Sequence, residues 1–217
     1  MALQANIILN NVTTSHVSCC LNDKLNWLVT QVANKMLPLK NTPQKYGLIA
    51  ILFHWLAAIA VLALFATGIY MVELTYYDSL YNKLPAWHKS VGILLGLLMI
   101  LRFIWMVFTT GPDRISGMGL WQWRLARIVH WVMLLLIVAI IGTGYLIPTA
   151  EGEGINVFDW FTVGALIQGY ENQADIAGEI HEYLAYLVIG LVVLHTLAAL
   201  KHHFLNKDRT LKRMLGL

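Results

Sequence analysis

Apolar residues run almost unbroken through four stretches of the chain, residues 48–72, 88–108, 125–147 and 180–204. Each is near the ~20 residues a helix needs to cross a hydrocarbon core. The pattern predicts an all-α membrane protein, a four-helix transmembrane bundle. The joints are legible too. Residues 73–87 form a short turn rich in rings, Tyr76, Tyr77, Tyr81 and Trp87, which suit the half-wet headgroup layer. Gly111, Pro112, Gly117 and Gly119 break the chain between the second and third runs, and Trp121 and Trp123 mark the interface there. The longest joint, residues 148–179, holds an apolar island, Val157, Phe158, Trp160, Phe161, Val163 and Leu166. A connection of that length carries structure of its own, so a short surface helix is expected there. Two parts follow: an arm, residues 1–45, and the bundle domain, residues 46–217. The arm has a weakly amphipathic patch, Leu25, Leu28, Val29, Val32 and Met36 among Lys24, Asn26, Gln31 and Lys35. It reads either as an interfacial helix or as sequence ahead of a true start at Met36.

Composition agrees with the pattern. The chain has 217 residues, 58% hydrophobic and only 12% charged, with a mean hydropathy of +0.63, outside the balance of soluble domains. Little chain is left for a large soluble domain. A net charge of +3 does not indicate nucleic acid, because the cations are sorted by topology rather than gathered in a stripe. Lys24, Lys35, Lys40 and Lys45 precede the first run, Arg114 and Arg124 separate the second and third, and Lys207, Arg209, Lys212 and Arg213 follow the fourth. Lys83 and Lys89 are the only cations near the first opposite joint, and residues 148–179 have none. Positive loops stay inside, so both termini are expected to be cytoplasmic. Glu151, Glu153, Asp159, Glu171, Asp175 and Glu179 make the outer side acidic. Cys19 and Cys20 fall in the cytoplasmic arm, where thiols stay reduced. No C-x-x-C-H is present, so any haem is held by coordination and packing alone.

Histidines within apolar helices are costly and mark function by default. His181 and His195 lie fourteen residues apart in the fourth run. Fourteen steps separate them by ~21 Å along one helix and leave their rings within about forty degrees of the same face. With the first run climbing outward and the second and fourth descending, depth pairs the remaining histidines. His88 and His181 share the outer level; His54 and His195 share the inner one. Four imidazoles paired by depth point to two non-covalent b-type haems, each with both axial positions filled, an arrangement for one-electron transfer rather than oxygen binding. Taken singly, His88 and His181 could equally be polar residues at helix ends. Gly92 and Gly96 after His88, and Ala185 after His181, leave room for a porphyrin, or else simply let helices pack closely.

Other residues compete for secondary roles. His130, in the third run, is a rival for the inner iron or a contact for a quinone or a propionate. Arg102, fourteen residues after His88, falls near the inner level, where a cation can pair with a propionate or else snorkel to headgroups. Arg127 is similar. His202 and His203, beside Lys201 and Lys207, read first as a basic end facing anionic lipid, with donation to a quinone carbonyl or proton relay as the alternative. His16 carries no signal.

The segments Phe53-His54-Trp55, Trp87-His88-Lys89-Ser90-Val91-Gly92, Arg127-Ile128-Val129-His130, Ile180-His181-Glu182 with Leu194-His195, and Ala199-Leu200-Lys201-His202-His203-Phe204 resemble the bacterial cytochrome b561 family, which is similar to the cytochrome b subunits of nickel-iron hydrogenases. The resemblance covers residue 45 to the end. It implies a multi-pass protein of the bacterial inner membrane holding two b-type haems and exchanging electrons with ubiquinone. The compact members it looks most like take electrons from superoxide at the outer face. His130, His202 and Arg102 would then neighbour the quinone. An anionic donor should be drawn by a positive outer field, and here Lys83 and Lys89 face many carboxylates. Three functions remain: a quinone-linked di-haem oxidoreductase; an electron-relay anchor docking a dehydrogenase or hydrogenase subunit on its acidic, aromatic outer loop; or a non-redox protein whose histidines line a polar path.

Overall fold

In the computed structural model, which describes residues 38–217, four long helices account for most of the chain. These are α1 (Leu48–Val72), α2 (Lys83–Phe108), α3 (Leu120–Thr149) and α4 (Gln173–Phe204), and a short α5 (Thr210–Met214) closes the chain. Between α3 and α4, β1 (Ile155–Val157) and β2 (Phe161–Val163) pair antiparallel, Ile155 opposite Val163. The expectations for the arm before residue 38 lie outside the described residues.

All four long helices are apolar and long enough to cross a membrane, and this is a multi-pass membrane protein. Three of them begin ahead of their apolar runs because the residues upstream are compatible with a first helical turn. Pro85 costs α2 nothing there, since the N–H it lacks has no partner in a first turn. The N–H of Gly119 donates to Oε1 of Gln122 at 3.3 Å and ties down the start of α3. Gln173 donates to the carbonyls of Leu146 and Ile167 at 3.0 and 3.2 Å, anchoring the start of α4 to the end of α3. At 30 and 32 residues, α3 and α4 are ~45–48 Å long and project beyond a ~30 Å core.

Backbones pack closely within two antiparallel pairs, α1 with α2 and α3 with α4, and along the α2–α3 seam, whereas α1 approaches α4 at few positions. The core is correspondingly thin. Ala57, Leu95, Met99, Ile137 and Val188, at least one from each long helix, form one buried cluster. Val188 is midway between His181 and His195, so this apolar layer crosses the bundle between the two histidine levels. Outward, Leu52, Leu56, Ile59 and Leu62 of α1 are half exposed, as expected of side chains whose solvent is lipid.

At one end of the bundle, the terminal end, the chain before α1 interlocks with α5 and the α2–α3 link. The N–H of Gly47 donates to Oδ1 of Asn41 at 2.9 Å, and that of Asp113 to the carbonyl of Pro43 at 2.8 Å. Arg213 reaches the carbonyl of Asp113 at 2.6 Å. Trp55 Nε1 donates to the carbonyl of Met214 at 2.9 Å. Gly47 has no room for a side chain, because a Cβ there would collide with the backbone of Leu39 and Lys40.

At the opposite end, the hairpin end, the expectation of a surface helix is overturned. Residues 150–172 contain no helix; the apolar island forms the β1–β2 hairpin. The island is rich in β-branched and aromatic residues flanked by Gly152, Gly154 and Gly164, and β1 buries alternate residues, Ile155 and Val157. That is a period of two, which a helix cannot use. Phe158 and Asp159 take positive φ, 47° and 58°, in the tight turn that matches strand twist, closed by Trp160 N–H donating to the Val157 carbonyl at 2.9 Å. A Cβ on Gly154 would meet Thr162 at 2.8 Å. The hairpin is tethered to two helices. Buried Ser90 of α2 accepts from the Phe158 N–H at 3.2 Å. The Tyr145 hydroxyl of α3 donates to the Gly164 carbonyl and accepts from the Leu166 N–H, both at 2.7 Å.

Candidate functional site

Five imidazoles line the interior at two levels. Near the hairpin end the ring centres of His88 and His181 are 6.2 Å apart at 71°. Near the terminal end those of His54 and His195 are also 6.2 Å apart, at 59°. Two metal–imidazole bonds of about 2 Å each, extended by the half-width of each ring, set trans imidazoles roughly 6 Å apart. Both pairs therefore have the separation that one iron atom between them requires. They also span the parts of the bundle where backbones are held apart, α1 across to α4 and α2 across to α4. A flat group has room there.

His130 is closer to His195, 5.1 Å between centres and edge-on, which is too short for a metal bonded to both. Its Nδ1 faces the Ala126 carbonyl at 2.6 Å. It flanks the His54–His195 pair rather than replacing His54 in it. Arg102 makes no hydrogen bond or ion pair among the described residues, whereas the Arg127 guanidinium covers the ring of Trp123, 4.9 Å from its centre. Arg127 is exposed, so its surroundings favour the headgroup role and leave Arg102 as the stronger partner for a buried anion. Gly92 opens on free space, where a Cβ would touch nothing; at Gly96 a Cβ would meet Ile141 at 3.3 Å. The first has the room a porphyrin face needs, and the second serves the α2–α3 seam.

His202 Nδ1 is 2.5 Å from Oδ2 of Asp208, and Oδ1 of Asp208 accepts from the Thr210 N–H at 2.8 Å, fastening the start of α5. Partial burial pushes the Asp208 carboxyl up, but bonds from the Thr210 hydroxyl and N–H and from His202 prevail and hold it below the usual carboxylate range. Close by in sequence, His203 Nδ1 is buried without a partner among the described residues, as is Trp105 Nε1. Buried polar atoms in this state call for a partner. Tyr46 is the other group the sequence did not flag. Burial raises its phenol above the ordinary value, and the charges of Arg213 and Arg102 only partly offset this.

Sequence reasoning also missed the residues behind the His88 and His181 rings. Nδ1 of His88 is 3.2 Å from the Thr67 hydroxyl; Nδ1 of His181 is 3.3 Å from the Thr143 hydroxyl and 2.9 Å from the Ile140 carbonyl. The signal was present as an internal repeat. His-Trp, eleven residues, then Thr-Gly occurs at 54–68 and again at 130–144. In the helix after each copy, a histidine is followed fourteen positions later by Arg102 in one and His195 in the other.

Residues 45–217 match the family described as prokaryotic cytochrome b561. The chain is 48% identical over 176 residues to cytochrome b561 homolog 2 of Escherichia coli (strain K12), covering 81% of this chain and 94% of that protein. It is 31% identical over 184 residues to the probable superoxide oxidase CybB of Yersinia pestis, covering 79% and 96%. It is 26% identical over 165 residues to cytochrome b561 homolog 1 of Escherichia coli (strain K12), covering 76% and 93%.

Proposed function

The chain belongs to the prokaryotic cytochrome b561 family, membrane cytochromes that carry electrons on b-type haem, and from that premise we propose that it is a di-haem oxidoreductase of the bacterial inner membrane linking an outer donor to membrane quinone. The observation that carries this reading is the equal 6.2 Å separation of two imidazole pairs on two levels of one bundle. His88 and His181 hold the outer iron, His54 and His195 the inner one, with both termini cytoplasmic. When bound, the two haems supply one-electron chemistry on either side of the apolar midplane.

The chain's own groups do the rest. Arg102, inside the bundle at the inner level, neutralises a propionate. At the terminal end, beside His202 held by Asp208, Trp105 and His203 offer unpartnered nitrogens to a quinone carbonyl. Ubiquinone is the acceptor this supports, with His130, whose ring centre is 5.1 Å from that of His195, a further contact for it. Superoxide is the donor suggested by the likeness to the Yersinia pestis protein; Lys89, beside His88, is the outer cation available to attract it.

The acidic outer joint favours a second reading, a cytochrome b anchor relaying electrons for a hydrogenase or dehydrogenase subunit. Trp160, Leu166 and Tyr170 are exposed there at 73%, 87% and 71% among carboxylates, a surface fit for protein docking. Spectroscopy and rapid mixing test both. The purified chain should carry two low-spin haems. His181→Ala should lose the outer one and His195→Ala the inner one; loss of the same haem in both variants refutes the pairing. Superoxide should reduce the haems and then ubiquinone in stopped flow. A chain inert to superoxide that co-purifies with a soluble redox subunit reverses the ranking.

A further inference from the structure

We infer that Thr67 and Thr143 are positioning residues for the outer pair of imidazoles, and that they hold the two rings unequally, His88 through one acceptor and His181 through two. The inference rests on the ligation proposed above and concerns groups that do not themselves touch a cofactor.

A threonine hydroxyl has one proton to give. Thr67 is 2.9 Å from the Ala63 carbonyl and 3.1 Å from that of Leu64, so its proton is committed to its own helix, and toward His88 Nδ1 it can only accept. Thr143 repeats this with the carbonyls of Ala139 and Ile140 at 3.1 and 3.0 Å. Nδ1 of each imidazole therefore carries the hydrogen, and the lone pair is left on Nε2, the nitrogen free to face the other ring. For His181 the same conclusion follows independently, because the Ile140 carbonyl at 2.9 Å can only accept.

A hydroxyl bonded to the carbonyl four residues back is ordinary helix behaviour, and Thr149 and Thr196 do no more than that. Thr67 and Thr143 differ because each also meets a histidine and each is followed by glycine. A Cβ at Gly68 would reach His88 Cε1 at 3.4 Å, and one at Gly144 would reach His181 Cε1 at 2.8 Å. The Thr-Gly step recurs at the same place in both copies of the repeat, before the two histidines that face each other. The repeat thus builds one hydroxyl and one shallow backbone recess per ring. The second copy adds the Ile140 carbonyl.

A hydrogen bond from Nδ1 makes an imidazole a stronger electron donor, which favours oxidised iron, and removing such a partner typically costs 10–100-fold in metal affinity or activity. Thr67→Val, which keeps shape and deletes the acceptor, is expected to raise the potential of the outer haem, shifting its reduction equilibrium about tenfold. Thr143→Val is expected to shift it by clearly less, because Ile140 still accepts. Thr67→Ser should restore the native value. The readout is a spectroscopic redox titration of the full chain in nanodiscs, with haem content and the electron paramagnetic resonance of the oxidised outer iron measured on the same samples. Should Thr67→Val pack poorly, Thr67→Ala is expected to move the potential in the same direction. An unmoved outer potential in both Thr67 variants with two haems bound overturns the inference, as does an equal shift in Thr143→Val. Failure of the ligation itself looks different: His88→Ala and His181→Ala would then keep a native outer haem.

Discussion

A methyl group added at Gly144 would press on His181 at 2.8 Å from Cε1 and 3.0 Å from Nδ1, whereas one added at Gly68 would touch His88 at an ordinary 3.4 Å. The two glycines occupy equivalent places in the repeat, so substitution separates tolerance from strain. Gly144→Ala is expected to tilt its ring, lower outer haem content and broaden its spectrum; Gly68→Ala should leave both near native. Haem-to-protein ratios of the two variants check this. A second residue-scale expectation concerns pH. Tyr46, whose phenol is raised by burial above 10.0, binds its proton more tightly in the fold than when unfolded. Its contribution to stability is complete below pH 10 and is lost as pH rises through the raised value. Tyr46→Phe should flatten the alkaline limb of thermal stability; an unchanged limb would refute this role. The four paired histidines were readable from sequence because helical rise converts residue number into depth. The threonines behind them were not, because a lone Thr in an apolar helix most often bonds only its own backbone.

The hairpin between α3 and α4 is held by few groups, and Ser90 is the sharpest test of it. Its side chain is buried at 2% exposure and is the acceptor for the Phe158 N–H. Ser90→Ala leaves that donor unsatisfied beside a turn already at positive φ, at a cost of about 1–3 kcal/mol. Hydrogen exchange over residues 155–163 should accelerate in this variant while the helices stay protected; equal exchange in both proteins would show that Ser90 does not fasten the hairpin. The four spanning helices were legible because length and hydropathy alone define them. Residues 155–163 form a hairpin rather than the expected helix because alternation and the flanking glycines outweigh the amount of apolar surface. Sequence gave no way to see α5 reaching back to Trp55 either, since that contact depends on where two distant segments end in space.

On the scale of the molecule, two copies of one helical pair meet so that their second helices face each other with a histidine near the hairpin end, and the copies diverge toward the terminal end, where Arg102 corresponds to His195. Arginine has no lone pair to offer a metal, and at that level His195 is paired instead with His54 of α1, while His130, the counterpart of His54, is left beside it. Between the levels lies the buried layer of Ala57, Leu95, Met99, Ile137 and Val188. Nothing in that layer can carry a proton. A unit charge moved through the full transmembrane field meets about 2.3 kcal/mol per 100 mV, and an electron going inward travels against an interior-negative voltage. For the inward transfer proposed above, turnover in liposomes should slow under an imposed interior-negative diffusion potential and quicken when the sign is reversed, so that a fully energised cell would restrain the flow and a de-energised one release it.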